Sequence, residues 1–171
     1  PKSGNTWLRI FLHTLLFSEK KTNVDINKNF IDQFPLRKHF NDLTEDCMNI
    51  NEFANNCIPA QNLLNKDKKI KIYKTHNAFW KFTETNVHFT NENNTLGTIY
   101  IVRDPRNVIT SVLNYFQKSN YQDALDFMVD PKKILGGSNN EFGVPTIISS
   151  WSNHYNSWKK FKKNYLLIKY E

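Results

Sequence analysis

The run Lys2-Ser3-Gly4-Asn5-Thr6 sets a lysine, a flexible glycine and three short polar side chains directly before an apolar-periodic segment that opens at Trp7. Backbone N–H groups at the start of a helix bind phosphate-like anions, and a lysine beside them adds charge. This run therefore reads as an anion-binding loop. It is not a Walker A loop, which needs G-x-x-x-x-G-K-[ST], because the chain has no Gly-Lys pair. Taken alone, an ordinary capped turn is the better reading of it. A second group, Lys74-Thr75-His76, ends a strand-like run. Imidazole titrates near neutral pH, so His76 has the chemistry to take a proton from a hydroxyl or an amine. Lys74 and His76 lie two residues apart and share one side if the strand continues to His76. Without further context, a histidine at a strand end is usually a surface or hydrogen-bonded residue.

The elements that must position these groups follow from periodicity. From Thr6 to about Phe17, Trp7, Ile10, Phe11, Leu15 and Leu16 recur at helical spacing. Residues 18–66 are polar and rich in asparagine, and predict short helices and loops in a variable, substrate-facing segment. Lys69 to Thr75 alternates like a half-buried strand. Thr98-Ile99-Tyr100-Ile101-Val102 is a continuous β-branched and aromatic run, expected of a strand covered on both faces of a parallel sheet. It leads into Arg103-Asp104-Pro105-Arg106, where Asp104 suits an N-cap and Pro105 the first helical turn. A helix follows through Val108, Ile109, Val112, Leu113 and Phe116. Another is expected over roughly 146–163, and a buried strand closes the chain at Tyr165–Tyr170. Strands alternating with helices imply an α/β sheet whose ligands gather at the carboxyl ends of the strands.

The 171 residues suit one domain, and 39% hydrophobic with 14% aromatic content is the composition of a folded protein. A net charge of +7 points to an anionic partner, without choosing among nucleic acid, membrane and a phosphorylated small molecule. The cluster Lys159, Lys160, Lys162 and Lys163 has the spacing of a wet helix face. Cys47 and Cys57 show no CxxC spacing, so a zinc site is not expected and reduced thiols are. No apolar stretch reaches the length of a membrane span.

Pro-Lys-Ser-Gly-Asn-Thr-Trp at 1–7 resembles the 5′-phosphosulfate loop of the sulfotransferases that use 3′-phosphoadenosine 5′-phosphosulfate (PAPS), with Asn5 where threonine is usual. Lys74-Thr75-His76 resembles the catalytic strand of that family. The run Tyr100–Val108, with Ser111 eight residues after Arg103, resembles its 3′-phosphate-binding strand–turn–helix. Trp151-Ser152-Asn153-His154 with Trp158, and the pair Tyr170-Glu171, resemble its last helix and strand. The matches keep family order from the first residue to the last.

The resemblance implies a three-layer α/β sandwich with a central parallel sheet, similar to the P-loop nucleotide hydrolases. It implies that Lys2, Ser3, Gly4, Asn5 and Thr6 cradle the 5′-phosphosulfate while Trp7 stacks near the adenine. Arg103 and Ser111 would grip the 3′-phosphate and Tyr170 would approach the adenine. His76 would be the general base, Lys74 a neighbouring charge, and Lys2 the stabiliser of the leaving phosphate, with no metal required. An ion pair of Arg103 with Asp104 or Glu171 is the competing structural role. His13, His39, His88 and His154, like Trp151, Tyr155 and Trp158, are read as structural. The acceptor would be a small molecule or a carbohydrate and the setting cytoplasmic, with neither nucleic acid nor membrane as partner of these residues. An anchor in a preceding segment stays open.

The same resemblance implies a strand before Pro1 and a basic Gly-rich loop after Glu171. On that reading the chain is a truncated domain that binds nucleotide weakly and turns over poorly by itself. Two alternatives stand beside it. A P-loop kinase or NTPase would need a Walker A loop and an acidic strand end for magnesium, for which Asp104 is the tempting candidate. A basic nucleic-acid-binding module would need a contiguous basic face with exposed aromatics.

Overall fold

The computed structural model describes residues 3–17, 31–82, 85–136 and 143–170. Helix α1 (Asn5–Phe17) starts directly after Gly4, whose carbonyl accepts the first helical bond from the Leu8 N–H at 3.0 Å. Strand β1 (Asp32–Gln33) follows, then helix α2 (Ile50–Leu64) and strand β2 (Tyr73–Lys74). A small antiparallel hairpin pairs β3 (Lys81–Phe82) with β4 (Val87–His88). Strand β5 (Thr98–Arg103) leads into α3 (Pro105–Tyr115) and α4 (Tyr121–Val129). Strands β6 (Ile134–Leu135) and β7 (Thr146–Ile147) form a second antiparallel pair, and α5 (Trp151–Trp158) and β8 (Tyr165–Tyr170) complete the order.

The protein is a mixed α/β fold with two parallel pairs, β1–β2 and β5–β8. Among the described residues the strands form four two-stranded ladders instead of one continuous sheet. A cavity of about 680 Å³ is lined by residues of both β2 and β5. β5 and β8 pair in register over their full lengths, from Thr98 opposite Tyr165 to Arg103 opposite Tyr170. Their carboxyl ends therefore reach the same edge.

Several expected elements take different bounds. The strand expected over Lys69–Thr75 is confined to Tyr73–Lys74. The helix expected over 146–163 is two elements: Thr146–Ile147 is strand, Ser149 adopts φ +56°, and only Trp151–Trp158 is helical. The Ser150 hydroxyl accepts from the Asn153 N–H at 3.2 Å, and this cap restarts the chain as a helix. The lysine cluster follows α5 in a turn and is not a helix face. Of the segment expected to hold short helices and loops, residues 18–30 lie outside the described residues. The rest contains the long α2, capped by Asn49, whose side chain accepts from the Asn51 and Glu52 N–H groups.

Two cores hold these pieces. One is aromatic-rich, with Phe34, Phe40, Phe53, Phe89, Trp158 and Phe161 around Cys47, Cys57 and Val144. The other packs Val108 and Val112 of α3 against Ala124, Phe127 and Met128 of α4 and against Ile148. Consecutive residues Ile147 and Ile148 face different cores, as do Trp151 and Trp158 of α5. This short stretch therefore joins them. Cys47 and Cys57 are both buried and unbridged. No helix among the described residues is long and apolar enough to cross a membrane.

Candidate active site

The carboxyl edge of the β5–β8 pair gathers one set of the expected residues. Arg103 Nη1 donates to the Ser111 hydroxyl at 3.3 Å, because α3 turns back beside the strand end. The Arg103 guanidinium also lies 5.5 Å above the Tyr170 ring. Its Nε is buried and has no hydrogen-bond partner among the described residues. A buried guanidinium N–H left unpaired carries a substantial desolvation cost, which an anion at this position would offset. Asp104 does not pair with Arg103. Its carboxylate caps α3 through the Arg106 N–H at 2.8 Å and binds the Arg106 side chain through three further contacts. These bonds hold the Asp104 carboxyl down to about 2. Glu171, the other suggested ion-pair partner, lies outside the described residues.

Tyr170 links this edge to the opening loop. A Cβ placed on Gly4 would stand 2.5 Å from Tyr170 Cδ2, so the ring occupies the room that a side chain at residue 4 would need. Gly4 also sits at φ +86°, where an L side chain is strained. The Trp7 ring lies tilted at 6.4 Å from Tyr170 and stacks on Phe11 at 5.7 Å. Trp7 is 57% exposed and thus presents a free aromatic face. The N–H groups of the first turn of α1, beginning at Asn5 and Thr6, have no acceptors within the helix and open beside this cluster. Lys2 lies outside the described residues.

The second set meets at the large cavity, whose wall includes Ser3, Asn5, Lys74 and His76. β2 ends at Lys74, so alternation does not fix the side of His76. The segment after the strand is fixed by other bonds. Asn77 is 1% exposed, and its side-chain oxygen accepts from the Ile147 N–H at 2.9 Å. Its carbonyl accepts from Trp158 Nε1 at 3.0 Å, and the Phe79 N–H donates to the Ser157 hydroxyl at 2.9 Å. Ala78 N–H donates to the Ile147 carbonyl at 2.8 Å.

His76 is pushed down to about 3, first by burial and next by the charge of Lys74, with His154 and Arg9 adding in the same sense. Its imidazole is therefore neutral, with Lys74 and Arg9 as cationic neighbours, and it is a weaker base than the near-neutral titration expected from its residue type. Arg9 reaches the same cavity, donating from Nη2 to the Ile31 carbonyl at 2.9 Å while its Nε is buried without a partner among the described residues. Among those residues, no three His, Cys, Asp or Glu side chains cluster closely enough to hold a metal ion.

His154, read as structural, touches the candidate base. Its Nε2 lies 3.2 Å from the His76 carbonyl oxygen, and its Nδ1 lies 2.9 Å from the Tyr100 hydroxyl. The available signal was position: His154 is a polar residue between Trp151 and Trp158 on the inward face of α5.

Parallel strand ends bearing Arg103 and Tyr170, next to a glycine loop that opens a helix, define an α/β protein with a cationic, polar cluster at its carboxyl edge. The sulfotransferase domain model matches residues 1–171, the whole chain, and the chain belongs to that family. No curated protein and no solved structure matches it significantly.

Proposed function

We propose that the protein transfers the sulfuryl group of PAPS to a hydroxyl or amine of a small-molecule or carbohydrate acceptor. The observation that carries this reading is the adjacency of Gly4, Tyr170, Arg103 and Ser111. It puts the opening loop and a guanidinium whose buried Nε lacks a partner among the described residues at one edge, as a donor with phosphate groups at both ends requires. In this reading Ser3, Gly4, Asn5 and Thr6, with Lys2, hold the 5′-phosphosulfate. Arg103 and Ser111 hold the 3′-phosphate, and Trp7 and Tyr170 flank the adenine. The two parallel pairs are portions of the three-layer sandwich that the family implies, within a single domain over 1–171. The buried free thiols accord with a reducing, cytoplasmic setting.

The chemistry is an in-line displacement at sulfur, governed by position and electrostatics. The bond from the bridging phosphate oxygen to sulfur breaks, and the acceptor oxygen or nitrogen forms the new one. The acceptor proton passes to neutral His76, and the electron pair of the broken bond remains on the phosphate oxygen of adenosine 3′,5′-bisphosphate. Lys2 stabilises that oxygen, and Lys74 sits close to the sulfuryl oxygens. A sulfuryl group carries one negative charge fewer than a terminal phosphoryl group, so lysines suffice for its neutralisation.

Transfer from radiolabelled PAPS to a panel of phenols, alcohols, amines and sugars tests the reading in the full-length protein. His76→Ala is expected to abolish transfer while binding adenosine 3′,5′-bisphosphate as tightly as the parent. Undiminished transfer in this variant would remove His76 as the base. Binding of Mg·ATP in preference to the bisphosphate would instead favour a kinase, although Asp104 is already engaged by Arg106.

A further inference from the structure

Beyond the residues that face the reactants, the environment of His154 has a defined chemical direction. The His76 carbonyl can only accept, so the 3.2 Å contact requires a proton on His154 Nε2. Neutral imidazole then leaves Nδ1 as an acceptor, and the Tyr100 hydroxyl donates to it at 2.9 Å. The two bonds run one way, from the β5 hydroxyl through the α5 ring to the backbone of the candidate base. Packing around the His154 ring pushes it down to about 3, which keeps it neutral and preserves this polarity. The Tyr100 ring is itself held between Tyr155 and Tyr165, at 5.9 and 6.4 Å.

We infer that His154, oriented by Tyr100, is a positioning residue that sets the aim of the His76 imidazole by holding the His76 carbonyl. This rests on His76 acting as the base. Because β2 stops at Lys74, no described strand pairing fixes the backbone at residue 76. The next fixed points, Asn77 and Phe79, are also bonded to α5, through Trp158 and Ser157. His154 extends that set of bonds to the base itself. The Ser157 hydroxyl donates to the His154 carbonyl at 2.8 Å, so the fixed points are joined to one another. The helix thus supplies the rigidity that the two-residue strand lacks, and displacement of a reacting group by about 1 Å can cost roughly 10²-fold in rate.

The test uses the full-length protein and the transfer assay above. His154→Phe removes both bonds and is expected to lower kcat about 10²-fold; Tyr100→Phe removes one oxygen and is expected to lower it about tenfold. Affinity for adenosine 3′,5′-bisphosphate should stay at the parental value in both, which also reports that they fold. His154→Gln keeps an N–H donor near the Nε2 position and should recover most of the loss in His154→Phe. ¹⁵N spectra of histidine-labelled parent protein should show His154 protonated at Nε2 alone, and Tyr100→Phe should mix the tautomers.

If His76→Ala is inactive but Tyr100→Phe and His154→Gln retain parental kcat and His154→Phe also retains it, the positioning role is overturned and the base assignment stands. An Nδ1-protonated His154 in the parent would overturn the relay even if His154→Phe failed to fold. Full transfer by His76→Ala would overturn the base assignment and this inference with it.

Discussion

At the scale of single residues, the low proton affinity of His76 and His154 makes two measurable statements. Both groups bind a proton more readily in the unfolded chain, near 6.5, than in the folded protein, near 3. Their contribution to stability is therefore complete above about pH 6.5 and is lost as the pH falls toward 3. Thermal unfolding followed across that range should show a falling Tm, and His154→Gln, which cannot titrate, should flatten part of the slope. The second statement concerns rate. In the free enzyme, kcat/KM for PAPS should show no acid limb near pH 6.5, because His76 is already neutral there. Arg103 carries a separate prediction. Arg103→Ala should weaken binding of adenosine 3′,5′-bisphosphate by about 10- to 100-fold while leaving binding of 5′-AMP almost unchanged, as titration calorimetry would read. Residue types and family order marked His76, Lys74 and the opening loop as candidates, and the cavity wall brings Lys74 and His76 together with Ser3 and Asn5. The bonds of His154 were not legible, since its partners, Tyr100 and the His76 carbonyl, are 54 and 78 residues away in the chain.

Secondary-structure elements divide according to how local their causes are. β5 and α3 were legible as elements because an unbroken apolar run meets an Asp-Pro cap, but β5 is not covered on both faces as expected, since Ile99 is 44% exposed. α2 was hidden because asparagines interrupt its polar face. Its inward positions Phe53, Ala54, Cys57, Ala60 and Gln61 nevertheless keep helical spacing. Removing its cap with Asn49→Ala should cost about 1 kcal/mol, measurable as a shift in the chemical denaturation midpoint at constant slope. The expected 146–163 helix failed for the opposite reason: apolar spacing continues through Ile147 and Ile148, while the left-handed Ser149 and the Ser150 cap break the backbone between them. β2 is short because the backbone beyond Thr75 bonds elsewhere: the Asn77 carbonyl accepts from Trp158 Nε1 and the Ala78 N–H donates to the Ile147 carbonyl.

For the whole molecule, the two cores meet through Ile147, Ile148 and α5, and so the domain should unfold as a unit. Calorimetric and van't Hoff enthalpies are expected to agree, and Trp158→Ala, which removes a 5% exposed ring and its bond to the Asn77 carbonyl, should destabilise by about 3–5 kcal/mol. Adenosine 3′,5′-bisphosphate at about 100 times its Kd should add about 2.7 kcal/mol through mass action, and Mg·ATP at the same concentration should add far less. Sheet continuity was the least legible property. Strand-like composition at 69–75 and 98–102 marks segments that favour extended backbone, but it carries no information about which edges meet, and here both segments line one cavity.

The contact between Gly4 and Tyr170 has a consequence for the history of the family. The room for a side chain at residue 4 is filled by the Tyr170 ring, and φ +86° disfavours one there independently, so residue 4 cannot gain a side chain while the ring remains, whereas Tyr170 can shrink without a clash. In an alignment of relatives glycine should therefore be retained in the first column wherever the distant partner is aromatic. A side chain should appear at the first position only where the second has become small.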